Sequence, residues 1–494
     1  MTTLAQLHDV LPGARLEPDD AGRVEVVDVT HDSRESGPGA MFVALRGAAT
    51  DGHAHVAAAA DSGAVAALVE ERVDVALPQV VVPDTRLAAG PAAALVHGRP
   101  STALDVVAIT GTNGKTTTSY LVEAAAAAAG RGAGLIGTVA TRIHGRDQPA
   151  VRTTPEGPDL QRLFARMRDR GVRTVAMEVS SHGLALHRVD GTRFVVAVFT
   201  NLSQDHLDFH GDLEEYFAAK ARLFTPGLSD RGLVGVFDDW GRRLADQASI
   251  EVVTIGEGPD ADVRLEVEEA TLHRTRGRLT GPADLLGGHT EVELTTRLAG
   301  RFNLRNAAQA WLSAVMTGID ATDAAAGIAH ADDIPGRFEV VVEDDVTALV
   351  DYAHSPDAIT ALLDTLRPIT PGRIILVVGA GGDRDRAKRG PMGAAAVAAD
   401  VVVFTSDNPR SESPQDILEE LLAGATGAPT RAHVEALADR EAAIDRALAV
   451  AEPGDVVVVA GKGHETGQEI AGVVRPFDDR EVLARRFRRQ QGRA

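Results

Sequence analysis

The chain holds four lysines against 46 arginines, and every lysine falls within a recognisable motif. Lys115 lies in Gly-Thr-Asn-Gly-Lys-Thr-Thr (111–117), and Lys220 in Tyr-Phe-Ala-Ala-Lys-Ala-Arg-Leu-Phe (216–224). Lys388 lies in Gly-Asp-Arg-Asp-Arg-Ala-Lys-Arg (382–389), and Lys462 in Gly-Lys-Gly-His-Glu (461–465). Arginine serves as well as lysine on a solvated surface, but it cannot replace a compact ammonium or a neutral amine nucleophile. The four positions therefore mark places where chemistry asks for lysine.

The first motif joins an apolar run to a helical pattern through glycines. Backbone N–H groups of such a loop point at phosphates, and the helix N-terminus adds a favourable dipole. Gly111, Thr112, Asn113, Gly114, Lys115, Thr116 and Thr117 form this nucleotide loop, with Lys115 reaching the β/γ-phosphates and the Thr116 hydroxyl suited to Mg²⁺. Glu178 closes a second apolar run, at the carboxyl end of a parallel strand where α/β sheets bind ligands. His206 follows a third run in the same way, and both are candidate metal ligands beside the loop. Tyr216, Lys220 and Phe224 share one helical face at spacing i, i+4, i+8. Two readings stand there: a lysine whose stem packs while its head reaches water, or a desolvated neutral amine able to take up CO₂ as a carbamate.

These residues need elements to position them. At 494 residues the chain predicts about three domains. Short apolar runs (24–29, 41–45, 65–69, 80–82) alternate with Ala-rich helical pieces over residues 1–99, giving a small α/β domain, and 89–100, with Gly90, Pro91, Gly98 and Pro100, reads as a link. Residues 100–332 alternate strands (104–110, 172–179, 194–200, 233–237) with helices, as a parallel sheet requires, and 263–299 alternates like an antiparallel ribbon. The turn at Ile334-Pro335-Gly336 opens a third domain, 333–494, a second doubly wound sheet with strands at 374–378, 401–405 and 456–460. The fold class is α/β throughout: an N-terminal α/β domain, a central P-loop-type ATPase domain and a C-terminal Rossmann-like domain.

Composition narrows the partners. A net charge of −21 argues against nucleic acid or an anionic membrane. With no cysteine, disulfides and thiolate metal sites are excluded. The N-terminus has no secretory pattern, and the apolar stretches are too short to span a bilayer. The expectation is a cytoplasmic enzyme, monomeric, acting on small molecules.

Together these motifs resemble those of the Mur ligase family, over nearly the whole length, and within it the members that add the third amino acid of the peptidoglycan stem. His31-Asp-Ser33-Arg, 38–47 and Asp51-Gly-His resemble the family's uridine-nucleotide domain. Thr153-Thr154-Pro and Glu178-Val-Ser180-Ser-His-Gly-Leu-Ala-Leu-His-Arg188 resemble its muropeptide motifs. The resemblance implies that Ser33, Thr153, Thr154, Ser180 and Arg188 serve the UDP-muramoyl substrate. It implies that Glu178 and His206 bind magnesium and that Lys220 is the carbamylated lysine. Gly300–Asn306 supplies Asn303 and Asn306 near ATP, Pro335–Glu339 supplies Arg337, and 351–357 supplies Asp351, Tyr352 and His354. Leu186 stands where many members carry glutamine, so that contact is lost or remade by a neighbour such as His187; Ala387 and Gly390 replace the usual Gly and Pro.

Asp407-Asn408-Pro409-Arg410 resembles the signature of members that add meso-diaminopimelate. Arg410 can clamp the extra carboxylate that lysine lacks. By the same resemblance Arg384, Asp407, Asn408, Pro409, Gly461 and Glu465 complete the pocket, with Glu465 and Asp407 facing the distal amine. The implied reaction is ATP-dependent amide ligation through an acyl phosphate on the D-glutamyl γ-carboxylate, with Mg²⁺ as cofactor, in cell-wall synthesis and thus cell shape and division. Closure of three domains should keep water from the acyl phosphate. Two rivals are a folylpolyglutamate synthase relative and a P-loop switch without ligase activity; the N- and C-terminal motifs disfavour both.

Overall fold

The computed structural model describes residues 1–47, 50–149, 152–429 and 431–491, with side chains through 488. Three large sheets follow one another along the chain, beside two two-stranded ribbons, Thr2–Thr3 with Glu25–Val26 and Gly467–Ile470 with Val473–Pro476. The first has five strands in the order Arg15–Glu17, Gln79–Val81, Ala66–Val69, Ala40–Val43, Asp28–Thr30, parallel except at its first pair.

The second sheet has eleven strands. Ala133–Ile136, Thr174–Glu178, Asp105–Thr110, Phe194–Phe199, Ser229–Gly235, Glu251–Gly256 and Val263–Ala270 lie parallel in that spatial order. Helices cover both faces, so Val106 through Ile109 are fully buried; this is why such strands read as unbroken apolar runs. The ribbon expected at 263–299 is present as Val263–Ala270, Thr275–Thr280 and Glu291–Thr296, paired antiparallel. It does not stand apart but continues the central sheet. The third sheet runs Glu339–Glu343, Thr347–Asp351, Val456–Ala460, Ile374–Val378, Val401–Phe404, His433–Ala436, parallel after its first pair.

The stretch 89–100 corrects the sequence reading. Residues 89–96 are helical rather than irregular: they belong to the helix Thr85–Val96, capped by Asp84, whose carboxylate accepts from the N–H groups of Arg86 and Leu87 (2.8 and 3.1 Å). Gly90 is there for contact. A Cβ on it would overlap the Asp190 carbonyl, and Gly157 presses on the Gly90 backbone from the neighbouring helix Gly157–Asp169. Pro91 loses one helical hydrogen bond, but buried Ala88, Ala89, Ala92 and Ala93 hold the helix by packing.

The second and third units touch at the site. Ile334 is buried in the central core, whereas Phe338, four residues on, packs in the C-terminal one.

Candidate active site

The loop 111–114 leaves the strand Asp105–Thr110 and enters the helix Lys115–Ala128. The neighbouring strand end braces it. Asn201 Oδ1 accepts from the Asn113 N–H (3.0 Å), and the Thr200 hydroxyl donates to the Asn113 carbonyl (2.6 Å). Gly114 takes φ +87°, and a Cβ there would run into Asn306 Oδ1, so glycine lets the helix Arg301–Met316 seat Asn306 against the loop.

Two cavities meet at this loop. The larger, about 400 Å³, is lined by Asn113, Gly114, Thr117, Asn303, Asn306, Arg337, Asp351 and Tyr352, with Phe237, Phe302 and Ala358 giving it apolar walls. It suits a purine base and ribose. The smaller, about 180 Å³, is lined by Thr112, Lys115, Thr116, Thr153, Glu178, Ser180, His206, Lys220 and His354. Gly111 lies beneath: its carbonyl accepts from both Lys115 Nζ (2.9 Å) and Lys220 Nζ (2.8 Å).

Lys220 does not reach water. It is 1 % exposed, its Nζ 4.3 Å from the Tyr216 ring centroid. Burial and the neighbouring Lys115 push its amine well below the usual lysine range, against the pull of Asp205. Of the two readings open from spacing, the snorkelling head is thereby removed.

Glu178 is fully buried and accepts from the Thr116 hydroxyl (3.1 Å), the Thr138 N–H (2.8 Å) and the Thr138 hydroxyl (3.0 Å). His206 opens 38 % of its side chain to the cavity. Its enclosed setting, opposed by Asp205 and helped by His182 and Lys115, still brings its pKa down to about 3, which leaves a ring nitrogen free to ligate. Among the described residues no group of three His, Asp or Glu could hold an ion unaided. Thr116, Glu178 and His206 nevertheless face one cavity beside a phosphate loop. That donor set fits Mg²⁺, which takes one or two protein carboxylates and fills its shell with phosphate oxygens and water.

Thr153, Thr154, Ser180 and Arg188 form one cluster. The Thr154 hydroxyl accepts from the Ser180 N–H (3.0 Å), the hydroxyls of Thr153 and Thr138 lie 3.0 Å apart, and Arg188 donates to the Thr154 carbonyl (3.3 Å). Ser33 stands elsewhere, on the 3-10 turn Ser33–Glu35 of the first unit, which none of these bonds reaches. His187 is paired with Asp190 at 2.9 Å, so it makes a poor substitute for the glutamine that Leu186 replaces.

The C-terminal residues gather at the ends of two strands that flank Ile374–Val378. Asp407 and Asn408 follow Val401–Phe404, and Gly461 follows Val456–Ala460. Arg384 and Arg410 both approach Gly381. Arg410 takes φ +56°, anchored by its N–H to the Glu469 carbonyl (3.0 Å) and by Nη1 to the Gly382 carbonyl (2.6 Å). Asn408 donates to Glu465 Oε2 at 2.8 Å, and Pro409 follows it in the loop. The Gly461 N–H donates to the Asp351 carbonyl at 3.1 Å, joining this pocket to the wall of the nucleotide cavity. Arg337 completes the path: it donates to the Thr116 hydroxyl (3.1 Å) and lies 4.2 Å from the Tyr352 ring centroid.

Some residues of the site escape sequence reasoning. Asp205 is buried, and although burial opposes it, His354 and Lys388 hold its carboxyl well below the usual range. Lys388 Nζ lies 3.1 Å away, from the third unit. Thr138 shares Glu178, and its only signal was a Gly-Thr pair after an apolar run. Asp238 lines the larger cavity without any motif, and Arg305, inside the 300–306 motif but not singled out there, lines it too.

Similarity to known proteins agrees with this geometry. Three family descriptions match in chain order: "Mur ligase family, catalytic domain" over residues 25–104, "Mur ligase middle domain" over 109–314 and "Mur ligase, glutamate ligase domain" over 336–463. A Streptomyces coelicolor protein named UDP-N-acetylmuramoyl-L-alanyl-D-glutamate--2,6-diaminopimelate ligase is 49% identical, covering 99% of this chain and 97% of its own. A Geobacter metallireducens protein of the same name is 43% identical over 96% and 97%. A solved structure of an enzyme so named superposes with a TM-score of 0.69 at 31% identity, covering 99% of this chain and 100% of that one. With all three domain descriptions matched in order and a relative 49% identical over 99% of its length, the chain belongs to the Mur ligase family.

Proposed function

We propose that this enzyme joins meso-diaminopimelate to the γ-carboxylate of UDP-N-acetylmuramoyl-L-alanyl-D-glutamate at the expense of ATP, a step of peptidoglycan precursor synthesis. The observation that carries this reading is the continuous path from Thr116 through Arg337 and Tyr352 to the strand ends bearing Gly461 and Asp407. One site thereby offers a phosphate loop, a muropeptide cluster and an amino-acid pocket. In this reading residues 1–99 bind the uridine nucleotide, 100–332 bind ATP and 333–494 bind the amino acid.

A carboxylate is a poor electrophile. Transfer of the γ-phosphoryl group to it forms a C–O–P linkage and releases ADP; attack by the amine then forms the amide, and phosphate leaves with the C–O bond. Phosphoryl transfer rests on alignment and charge neutralisation. Lys115 supplies charge at the loop, and Thr153, Thr154, Ser180 and Arg188 orient the acceptor carboxylate. Mg²⁺, when bound through Thr116, Glu178 and His206, would neutralise phosphate charge. Lys220, as a free base, adds to CO₂ with loss of one proton and so presents a carbamate anion to the same cavity. Arg410 and Arg384 pair with the distal carboxylate of the amino acid, while Asp407 and Glu465 hold its distal amine.

The test is ADP release with UDP-muramoyl dipeptide and meso-diaminopimelate, each alone and together, and with lysine in place of the latter. ADP and a product bearing one added diaminopimelate are expected only when all substrates are present. Release without the dipeptide would identify a nucleotide switch, and lysine-dependent turnover of equal efficiency would overturn the amino-acid assignment.

A further inference from the structure

Lys462 is fully buried, yet it lines neither cavity and carries none of the roles above. Its Nζ lies 3.1 Å from Asn408 Oδ1 and 3.0 Å from Glu465 Oε2. Asn408 Oδ1 also accepts from the Glu469 N–H (3.0 Å), and its Nδ2 donates to the same Glu465 Oε2 (2.8 Å). The amide orientation of Asn408 is therefore fixed by two donors on one side, and Glu465 is held by one of its two oxygens. The other oxygen has no such partner, and a third of the side chain stays open. A buried ammonium is costly unless paired and hydrogen-bonded, and here the pair is a residue that projects into the amino-acid pocket.

From this geometry we infer that Lys462 is a positioning residue: it locks Asn408 and Glu465 so that one Glu465 oxygen meets the distal ammonium of the incoming diamino acid. The inference rests on the ligase reading and deepens it. Lys462 acts through Glu465 and touches no reacting atom. Its removal leaves Glu465 Oε2 held by Asn408 alone and Asn408 Oδ1 by the Glu469 N–H alone, so the loss falls on capture of the amino acid rather than on phosphoryl transfer.

The experiment is steady-state kinetics of the full chain with all three substrates varied in turn, for Lys462→Met, Glu465→Gln and the double variant. Lys462→Met should raise KM for meso-diaminopimelate about tenfold to a hundredfold, the scale of one charge-assisted hydrogen bond. KM for ATP and for the dipeptide should stay within about twofold. The double variant should be no more than about twofold worse than Glu465→Gln alone, because both remove the same interaction. An unchanged KM for diaminopimelate, an equal rise in all three KM values, or effects that multiply in the double variant would overturn the inference. Should Lys462→Met not fold, Lys462→Gln, which keeps a donor but no charge, takes its place in the same cycle with the same refuting outcomes. Wild-type enzyme with no diaminopimelate-dependent ADP release would instead bring down the ligase reading itself.

Discussion

Arg440 and Asp479 give the sharpest test of how the amino-acid pocket is held. Both side chains are fully buried. Arg440 donates through Nε and Nη2 to the two Asp479 oxygens (2.8 Å each), through Nη1 to the Ser406 carbonyl (3.2 Å) and through Nη2 to the Ala460 carbonyl (2.9 Å). Those carbonyls immediately precede Asp407 and Gly461, so one guanidinium ties together the two strand ends that build the pocket. Arg440→Met removes the cation and leaves Asp479 buried without a partner, which costs about 3–5 kcal/mol, a large part of the about 5–15 kcal/mol that holds a domain together. Arg440→Met with Asp479→Leu removes the stranded charge but takes a donor from the Ala460 carbonyl, at about 1–3 kcal/mol, while the Ser406 carbonyl keeps Gln468 Nε2 at 3.3 Å. The double variant should therefore be more stable than the Arg440→Met single, with a coupling of about 2 kcal/mol or more. Urea unfolding followed by far-UV circular dichroism, with and without saturating meso-diaminopimelate, measures both. A single variant that loses under about 1 kcal/mol, or a cycle that is additive within about 0.5 kcal/mol, would show that the pair carries none of this.

Lys220→Arg should abolish turnover, and excess bicarbonate should not restore it; surviving ADP release would refute the carbamate role. Gly90→Ala drives a methyl into the Asp190 carbonyl and should destabilise by about 1–3 kcal/mol, read as a lowered melting temperature; an unchanged one would contradict the close helix contact. Asp28 links the first unit to Arg162 of the central one (3.0 Å) and to His97 (3.2 Å). Burial raises its pKa, but His97 and Arg162 more than offset this and bring it from 3.8 to about 2. The folded state thus favours the carboxylate, so this contribution is present above about pH 4 and fades as pH falls toward 2. Asp28→Asn should flatten the acid limb of stability between those values, and an identical limb in wild type and variant would reject the assignment.

Much of the architecture could be read because parallel strands are buried on both faces: Val106–Ile109 and Ile374–Val378 announce themselves as continuous apolar runs. The phosphate loop was equally legible, since its glycines, lysine and threonines are contiguous. The helix Thr85–Val96 was not, because Gly90 and Pro91 are local helix breakers and only the distant Asp190 and Gly157 explain them. The same distance hides the bracing residues. Lys388 meets Asp205 across 183 positions, and Arg337 meets Thr116 across 221. No spacing rule spans such separations.

The carbonyl of Gly111 receives two amines at once. A carbonyl oxygen has two lone pairs and can accept from both, yet burial disfavours the charged form of each amine, lowering Lys115 and driving Lys220 well below the usual lysine range. Lys115 retains a second acceptor, the Thr112 carbonyl at 2.8 Å, whereas Lys220 has no other hydrogen-bonding oxygen among the described residues. A shared acceptor thereby holds two chemically identical side chains under unequal anchorage, and the amine with the single partner is the one that burial drives furthest from its charged form.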